Sequence, residues 1–170
     1  MDNVLETMQA LIATTPERWI GLARALPVEL LERPAAAGEW SAVECLQHIV
    51  DTEKVLQFRV QAFLAGRDLA GFNPAADGSA PGKQTPLALA EEFAGLRRES
   101  LGMLEKLTPA DLQRTARHAE LGVVTLSQML HHWASHDLNH TVQAERALMQ
   151  PFIQGNGPWQ RYYTDHLIVK

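Results

Sequence analysis

The sequence predicts an all-α protein: a four-helix bundle with a long crossover connection between helices two and three, formed as a single domain over residues 1–170. Three observations lead there. Long stretches carry apolar residues three and four positions apart, the period of an amphipathic helix. Two Ser/Thr-x-x-Glu/Gln motifs and a Thr-Pro pair mark helix starts. Extended structure is suggested in only one short segment.

Residues 2–26 read as helical, with Val4, Leu5, Met8, Leu11 and Ile12 on one stripe, continued by Trp19, Ile20, Leu22, Ala23 and Leu26. Pro16 interrupts this stretch, and Thr15 is placed to cap a second segment with Pro16 at its first helical position. Either a kinked helix or two abutting helices satisfies the pattern. Pro27 ends the segment, and residues 27–34 form a connector with room for one helical turn.

Ser41-Ala42-Val43-Glu44 is a capping box, in which each side chain satisfies a backbone N–H that the first turn leaves unpaired. The helix it opens runs to about Ala65, with Val43, Leu46, Val50, Leu56, Val60, Phe63 and Leu64 giving it a largely apolar character, and Gly66 stops it. Residues 66–85 concentrate Gly and Pro at Gly66, Gly71, Pro74, Gly78, Pro81 and Gly82. This is the crossover loop, and a candidate lid. Thr85-Pro86 starts the third helix, buried through Leu87, Leu89, Phe93, Leu96, Leu101, Met103, Leu104 and Leu107. Thr108-Pro109-Ala110-Asp111 is a turn. Periodicity is lost over residues 112–124, where Leu121-Gly122-Val123-Val124 reads as extended or as a hairpin. Thr125-Leu126-Ser127-Gln128 is the second capping box and opens the fourth helix, which Pro151 is expected to end. The tail, with Trp159, Tyr162 and Tyr163, is expected to form a short helix outside the bundle.

The chain is long enough to bury one full core, and 46% of it is hydrophobic. A net charge of -5 provides no basic field for phosphates, so nucleic acid is not an expected partner. The single cysteine, Cys45, excludes an internal disulfide and a multi-cysteine zinc site. No apolar run approaches the roughly 20 residues that span a bilayer, and acids near the start argue against a signal peptide, so a cytoplasmic protein is expected. There is no Gly-rich phosphate loop, no Gly-x-Ser-x-Gly elbow and no CxxC pair.

Four of the seven histidines fall within residues 131–140. On a helix His132, His136 and His140 lie along one stripe, with Cβ atoms of successive residues about 6 Å apart. Two imidazoles at i and i+4 can aim at one point, as helices often do when presenting a metal. His48, in the second turn of helix two, is the candidate third ligand, because facing helices of a bundle are where such centres form. Three imidazoles leave a fourth position open, the pattern of a catalytic rather than a closed structural site, and would bring bound water towards a pKa of about 7. Imidazole suits zinc, nickel, iron and copper alike. His132 can ligate in place of His140 or stand above the site as a hydrogen-bond donor.

Isolated helical histidines are usually solvated or satisfied in the core, and His118, His131 and His166 are read that way. Cys45 is one turn before His48 and either lines the site or simply packs. Asp51 and Asp137 either hydrogen-bond a ligating ring or face solvent, and Gln143 either hydrogen-bonds at the site or caps the stripe. Glu44, Asp51 and Glu53 are the nearest carboxylates for a general base, although Glu44 already serves a cap. Trp40 and Trp133 are read as core aromatics.

Gly38-Glu39-Trp40-Ser41, followed by His48-Ile49-Val50-Asp51-Thr52-Glu53 and later by His136-Asp137-Leu138-Asn139-His140-Thr141-Val142-Gln143, resembles the DinB-like (YfiT-type) superfamily. Order and separation match over nearly the whole chain, and Gly157-Pro158-Trp159 is similar to one branch. The resemblance implies a four-helix bundle with the crossover between helices two and three. It implies a divalent metal, commonly zinc or nickel, on His48, His136 and His140, and a homodimer. Its characterised members include thiol-dependent transferases and isomerases that use bacillithiol or mycothiol, and proteins described as metal-dependent hydrolases.

Three functions are therefore expected in turn. The first is a metal-dependent transferase that binds a low-molecular-weight thiol as thiolate and presents it to a small-molecule electrophile. The second is a hydrolase whose nucleophile is metal-bound hydroxide, which would want a carboxylate near the open position. The third is a non-catalytic dimeric module that binds metal or a small ligand.

Overall fold

The computed structural model describes residues 4–73, 76, 78 and 84–168. Its order is α1 (Val4–Ala13), α2 (Thr15–Ala25), a single turn α3 (Val28–Leu31), α4 (Ala42–Leu64), α5 (Pro86–Leu104), a 3-10 turn (Asp111–Gln113), β1 (Thr115–His118), β2 (Gly122–Thr125), α6 (Leu126–Gly155) and a terminal 3-10 helix (Gly157–Tyr162). The expected bundle is present. The abutting pair α1 and α2 makes one of its four columns, beside α4, α5 and α6, and α4 packs on both α5 and α6.

Both capping boxes form. The Ser41 hydroxyl accepts from the Glu44 N–H at 3.3 Å while the Glu44 carboxylate accepts from the Ser41 N–H at 2.8 Å. Thr125 and Gln128 make the same reciprocal pair at 3.1 and 2.8 Å. At the far end of α4, Gly66 takes φ +65°, and the Arg67 N–H returns to the Ala62 carbonyl, closing the helix.

Two local expectations are corrected. Thr15 does not cap α2: the helix starts at Thr15 itself, and its hydroxyl donates to the Ile12 carbonyl. Pro151 does not end α6, which continues to Gly155. A proline φ is already helical, so the residue costs one backbone hydrogen bond, and Ile153, buried just beyond it, holds the continuation to the core. The tail forms the expected short helix, of 3-10 type, and the chain after it is tied to α6 by Arg146 and Gln150, which donate to the His166 carbonyl.

Residues 115–125 form a two-stranded hairpin in the register Thr115↔Thr125, Ala116↔Val124, Arg117↔Val123 and His118↔Gly122. Gly122 supplies the positive φ, +75°, that a three-residue loop with a bulge requires. Leu69 pairs alongside His118, donating its N–H to the Arg117 carbonyl at 2.8 Å, so the crossover is pinned to the hairpin at its start. Much of the candidate lid, including Pro74 and Pro81, lies outside the described residues.

The core divides into two apolar clusters. One gathers Ile12, Leu56, Val60, Phe63, Leu104, Leu130 and Trp133; the other gathers Trp19, Leu46, Ile49, Val50, Leu89, Phe93 and Leu148. Fully burying such a side chain contributes about 1.5–3 kcal/mol. Where the sequence passes from one cluster to the other, a buried polar group intervenes. Arg97 donates to Glu53 at 2.8 and 3.0 Å, to Asp137 at 2.7 Å, to the Ile12 carbonyl at 2.6 Å and to Thr15 Oγ1 at 3.2 Å. Ser100 and the Trp133 indole N–H also donate to Glu53. This one guanidinium ties α4, α5, α6 and the break between α1 and α2. Burial opposes its charge, but Glu53 and Asp137 outweigh that and raise the Arg97 pKa.

Candidate metal centre

The capping box at Ser41 fixes the rotational phase of α4 and so the direction of His48, seven residues later. Thr125 and Gln128 do the same for α6. With α4 and α6 in contact, His48, His136 and His140 meet, and one nitrogen of each lies within 4.8 Å of the others. His48 Nε2 and His136 Nε2 are 3.0 Å apart. Two nitrogens on a tetrahedral zinc ion, each about 2.05 Å from it, would be separated by about 3.3 Å. The ring centroids of His140 lie 4.4 Å from His48 and 4.5 Å from His136.

The three rings are half-buried and held neutral. Burial, aided by His140, pushes His48 down to about 4 against the pull of Asp51. Burial, then the neighbouring His140, His48 and His132, pushes His136 down to about 3. Burial also lowers His140, opposed by Gln143 and Asp137. His140 Nδ1 donates to Gln143 Oε1 at 2.8 Å, which fixes the tautomer and leaves the Nε2 lone pair for the centre. Neutral, oriented imidazoles with free lone pairs are the donor set a borderline divalent ion takes, so these residues fit a metal.

Other sequence candidates are placed elsewhere. His132 is not one of the three converging rings; it sits 5.5 Å from His136, exposed on the wall of the adjoining cavity. Cys45 faces the core, where burial and then Glu44 push its thiol up to about 12. Glu44 stays in its cap, and Glu53 is inside the bundle with Arg97, so neither reaches the centre as a base. Asp137 turns to Arg97 instead of supporting a ring. Asp51 accepts from Gln47 at 3.3 Å. Trp133 is a core residue, as expected. His131 is exposed, with Nδ1 on the Ser127 carbonyl, and His166 is exposed. His118 is buried between Arg59 and the Glu120 N–H.

Trp40 corrects its reading as a core aromatic. It is half-buried, lies nearly parallel to His140 at 5.7 Å and sits 5.0 Å from His48, so it walls the centre. Its place immediately before the Ser41 cap was the available signal. The sequence reading also passed over Arg59 and Phe72. A cavity of about 190 Å³ opens beside His48 and His136, lined further by Thr52, Val55, Leu56, Arg59, Phe72 and His132. Thr52 and Arg59 follow His48 by one and three helical turns, so they share its face. Phe72 comes from the crossover, and no period could have placed it.

Fold and site together define a helical bundle that carries a candidate three-histidine metal centre across two of its helices. The chain belongs to the DinB superfamily, which its residues 11–144 match. Its fold is similar to that of YfiT from Bacillus subtilis, described as a probable metal-dependent hydrolase with an unusual four-helix bundle topology. That likeness has a TM-score of 0.74 at 15% identity over 84% of this chain and 85% of that one. It is also similar to a DinB-like protein, YjoA, from Bacillus subtilis, with a TM-score of 0.59 at 17% identity over 84% of this chain and 90% of the other. No curated protein matches the sequence. Among the described residues, no helix is long and apolar enough to cross a membrane.

Proposed function

We propose that this protein is a divalent-metal-dependent enzyme of the thiol S-transferase type, with zinc or nickel held by His48, His136 and His140. The observation that carries the proposal is the convergence of three neutral imidazoles beside a cavity. When bound, the metal would supply Lewis acidity at the coordination position the protein leaves open, favouring a thiolate over a thiol.

The chain's own residues do the rest. Gln143 holds the His140 ring, Trp40 shields the centre from bulk water, and the Arg97 network keeps α4 and α6 in phase. His132, its pKa lowered by burial and by Arg59 and His118, is a neutral proton acceptor on the cavity wall. The thiol proton passes to His132; the sulfur then bonds to an electrophilic carbon of a small-molecule substrate as that carbon's bond to its leaving group breaks, and the leaving group departs with the bonding electron pair and takes up the proton from His132 or water. Homodimerisation belongs to the same proposal and rests on the family resemblance; a cytoplasmic location belongs to it as well and rests on the sequence, in which no apolar run is long enough to span a bilayer.

A metallohydrolase is the second reading, favoured by the description of YfiT. It is the weaker one, because the cavity beside His48 and His136 is lined by no carboxylate among the described residues, leaving His132 as its base.

The test loads the purified protein with zinc or nickel and adds a low-molecular-weight thiol below that thiol's own pKa. Thiol-dependent proton release, lost in His48→Ala and His140→Ala together with the metal, is expected. Metal retained without thiol deprotonation or transfer would overturn the transferase reading, and unchanged metal content in both variants would overturn the site.

A further inference from the structure

A second cavity, of about 620 Å³, adjoins the first and shares Arg59, Phe72 and His132 with it, while His118, Glu120 and the hairpin line its other side. Its size is that of a small-molecule pocket. On its wall two donors, the Arg59 guanidinium and the Glu120 N–H, face one imidazole. Arg59 Nη2 donates to the Ala70 carbonyl at 3.2 Å and faces His118 Nε2 at 3.1 Å. Its Nε is buried without a partner, and among the described residues no carboxylate lies within ion-pair distance of the guanidinium, although Glu120 is close enough to favour its charge. His118 Nδ1 meanwhile faces the Glu120 N–H at 3.2 Å. A neutral imidazole has one acceptor nitrogen, so it can serve only one of these two donors. Either the guanidinium or the Glu120 N–H is left short of an acceptor, and an unmet buried donor is costly.

We propose that Arg59 and His118 form a subsite for the anionic oxygen group, carboxylate or phosphate, of an extended small molecule whose other end reaches the histidine centre. An incoming anion supplies the missing acceptor. The geometry also sets the shape of the ligand. Arg59 is eleven residues beyond His48, about 16 Å of helix rise, while the smaller cavity joins the two side chains directly. A compact anion cannot occupy both ends, whereas a chain of several carbons with a terminal acid can. Glu120 lines the same cavity as an exposed carboxylate and weakens, without cancelling, the field of Arg59. The proposal rests on the functional reading above for what happens at the histidines, and not for the anion site itself.

The test is calorimetric and uses metal-free protein, so that it stands apart from the metal reading. Octanoate, octyl phosphate and octanol are titrated into wild type, Arg59→Gln, Arg59→Lys and Glu120→Gln, each checked for helicity by circular dichroism. One or both anions should bind about tenfold or more tightly than octanol, as a charge-assisted contact would give. Arg59→Gln should abolish that preference, Arg59→Lys keep part of it, and Glu120→Gln strengthen it. The anion that binds tighter identifies the class of the natural group. Equal binding of anions and octanol by wild type, or an anion preference that survives Arg59→Gln, would overturn the subsite. If Arg59→Gln does not fold, the wild-type comparison and Arg59→Lys still decide. A protein that passes here but fails to hold metal keeps the subsite and loses the enzyme reading; the converse result does the opposite.

Discussion

His48 Nε2 lies 3.0 Å from His136 Nε2, although 88 positions of chain separate the two residues. Two imidazole nitrogens at that distance either share a proton or share an ion. Burial and the neighbouring His140 crowd both rings, and His48 crowds His136 further, so a second proton is costly to either.

That crowding gives the first prediction. Both folded-state pKa values, about 4 for His48 and about 3 for His136, lie below the ordinary 6.5. As pH falls below about 6.5 the unfolded chain takes up protons that the folded one refuses, so these residues make the metal-free protein lose stability towards pH 4. Above that range they add no slope. Urea midpoints after chelation, compared between wild type and a His48→Gln/His136→Gln variant, should show a shallower acid slope in the variant. Identical slopes would count against the arrangement.

The second concerns Gln143. Removing its hydrogen bond to His140 Nδ1 frees the ring to rotate and change tautomer. Gln143→Leu should lower metal affinity about 10–100-fold, the usual effect of losing an outer partner of a ligand. Gln143→Glu, which keeps an acceptor, should recover much of it. Competition against a chromophoric chelator measures both, and wild-type affinity in Gln143→Leu would contradict the orienting role.

The third concerns Arg97. Arg97→Met strands Glu53 and Asp137 in the interior, and breaking a buried ion pair this way costs about 3–5 kcal/mol. Equilibrium urea unfolding should show that loss. A change below about 1 kcal/mol would mean that water or rearrangement satisfies both carboxylates.

The fourth concerns Cys45. A thiol buried in the core, with its pKa pushed up to about 12, should react with a disulfide reagent only as the protein unfolds. Labelling should follow the unfolding curve, and Cys45→Ala should keep its metal. Prompt labelling of folded protein would return Cys45 to the candidates lining the site.

Much of the architecture was legible in the chain because its causes are local. Ser41-to-Glu44 and Thr125-to-Gln128 satisfy the free N–H groups of their own first turns, whatever packs against them. The i, i+4 spacing of His136 and His140 is a property of one helix, as is the three-residue reach from His140 to Gln143. Thr15 and Pro151 were misread because each was judged by its nearest neighbours. Arg97 reaches across from α5 to Thr15, and Ile153 is anchored by distant core.

The sequence by itself determined a helical bundle, the helix that carries the paired histidines and the identity of His48 as the residue to join them. Only the tertiary structure decided that His132 stands aside, that Trp40 is a wall, that Glu53 and Asp137 are committed to Arg97, and that Arg59 and Phe72 border the cavity. The division has a physical reason. Helix period and capping depend on neighbours a few residues apart, whereas the direction of a side chain across a cavity depends on the phase and tilt of two packed helices, which the whole core sets at once.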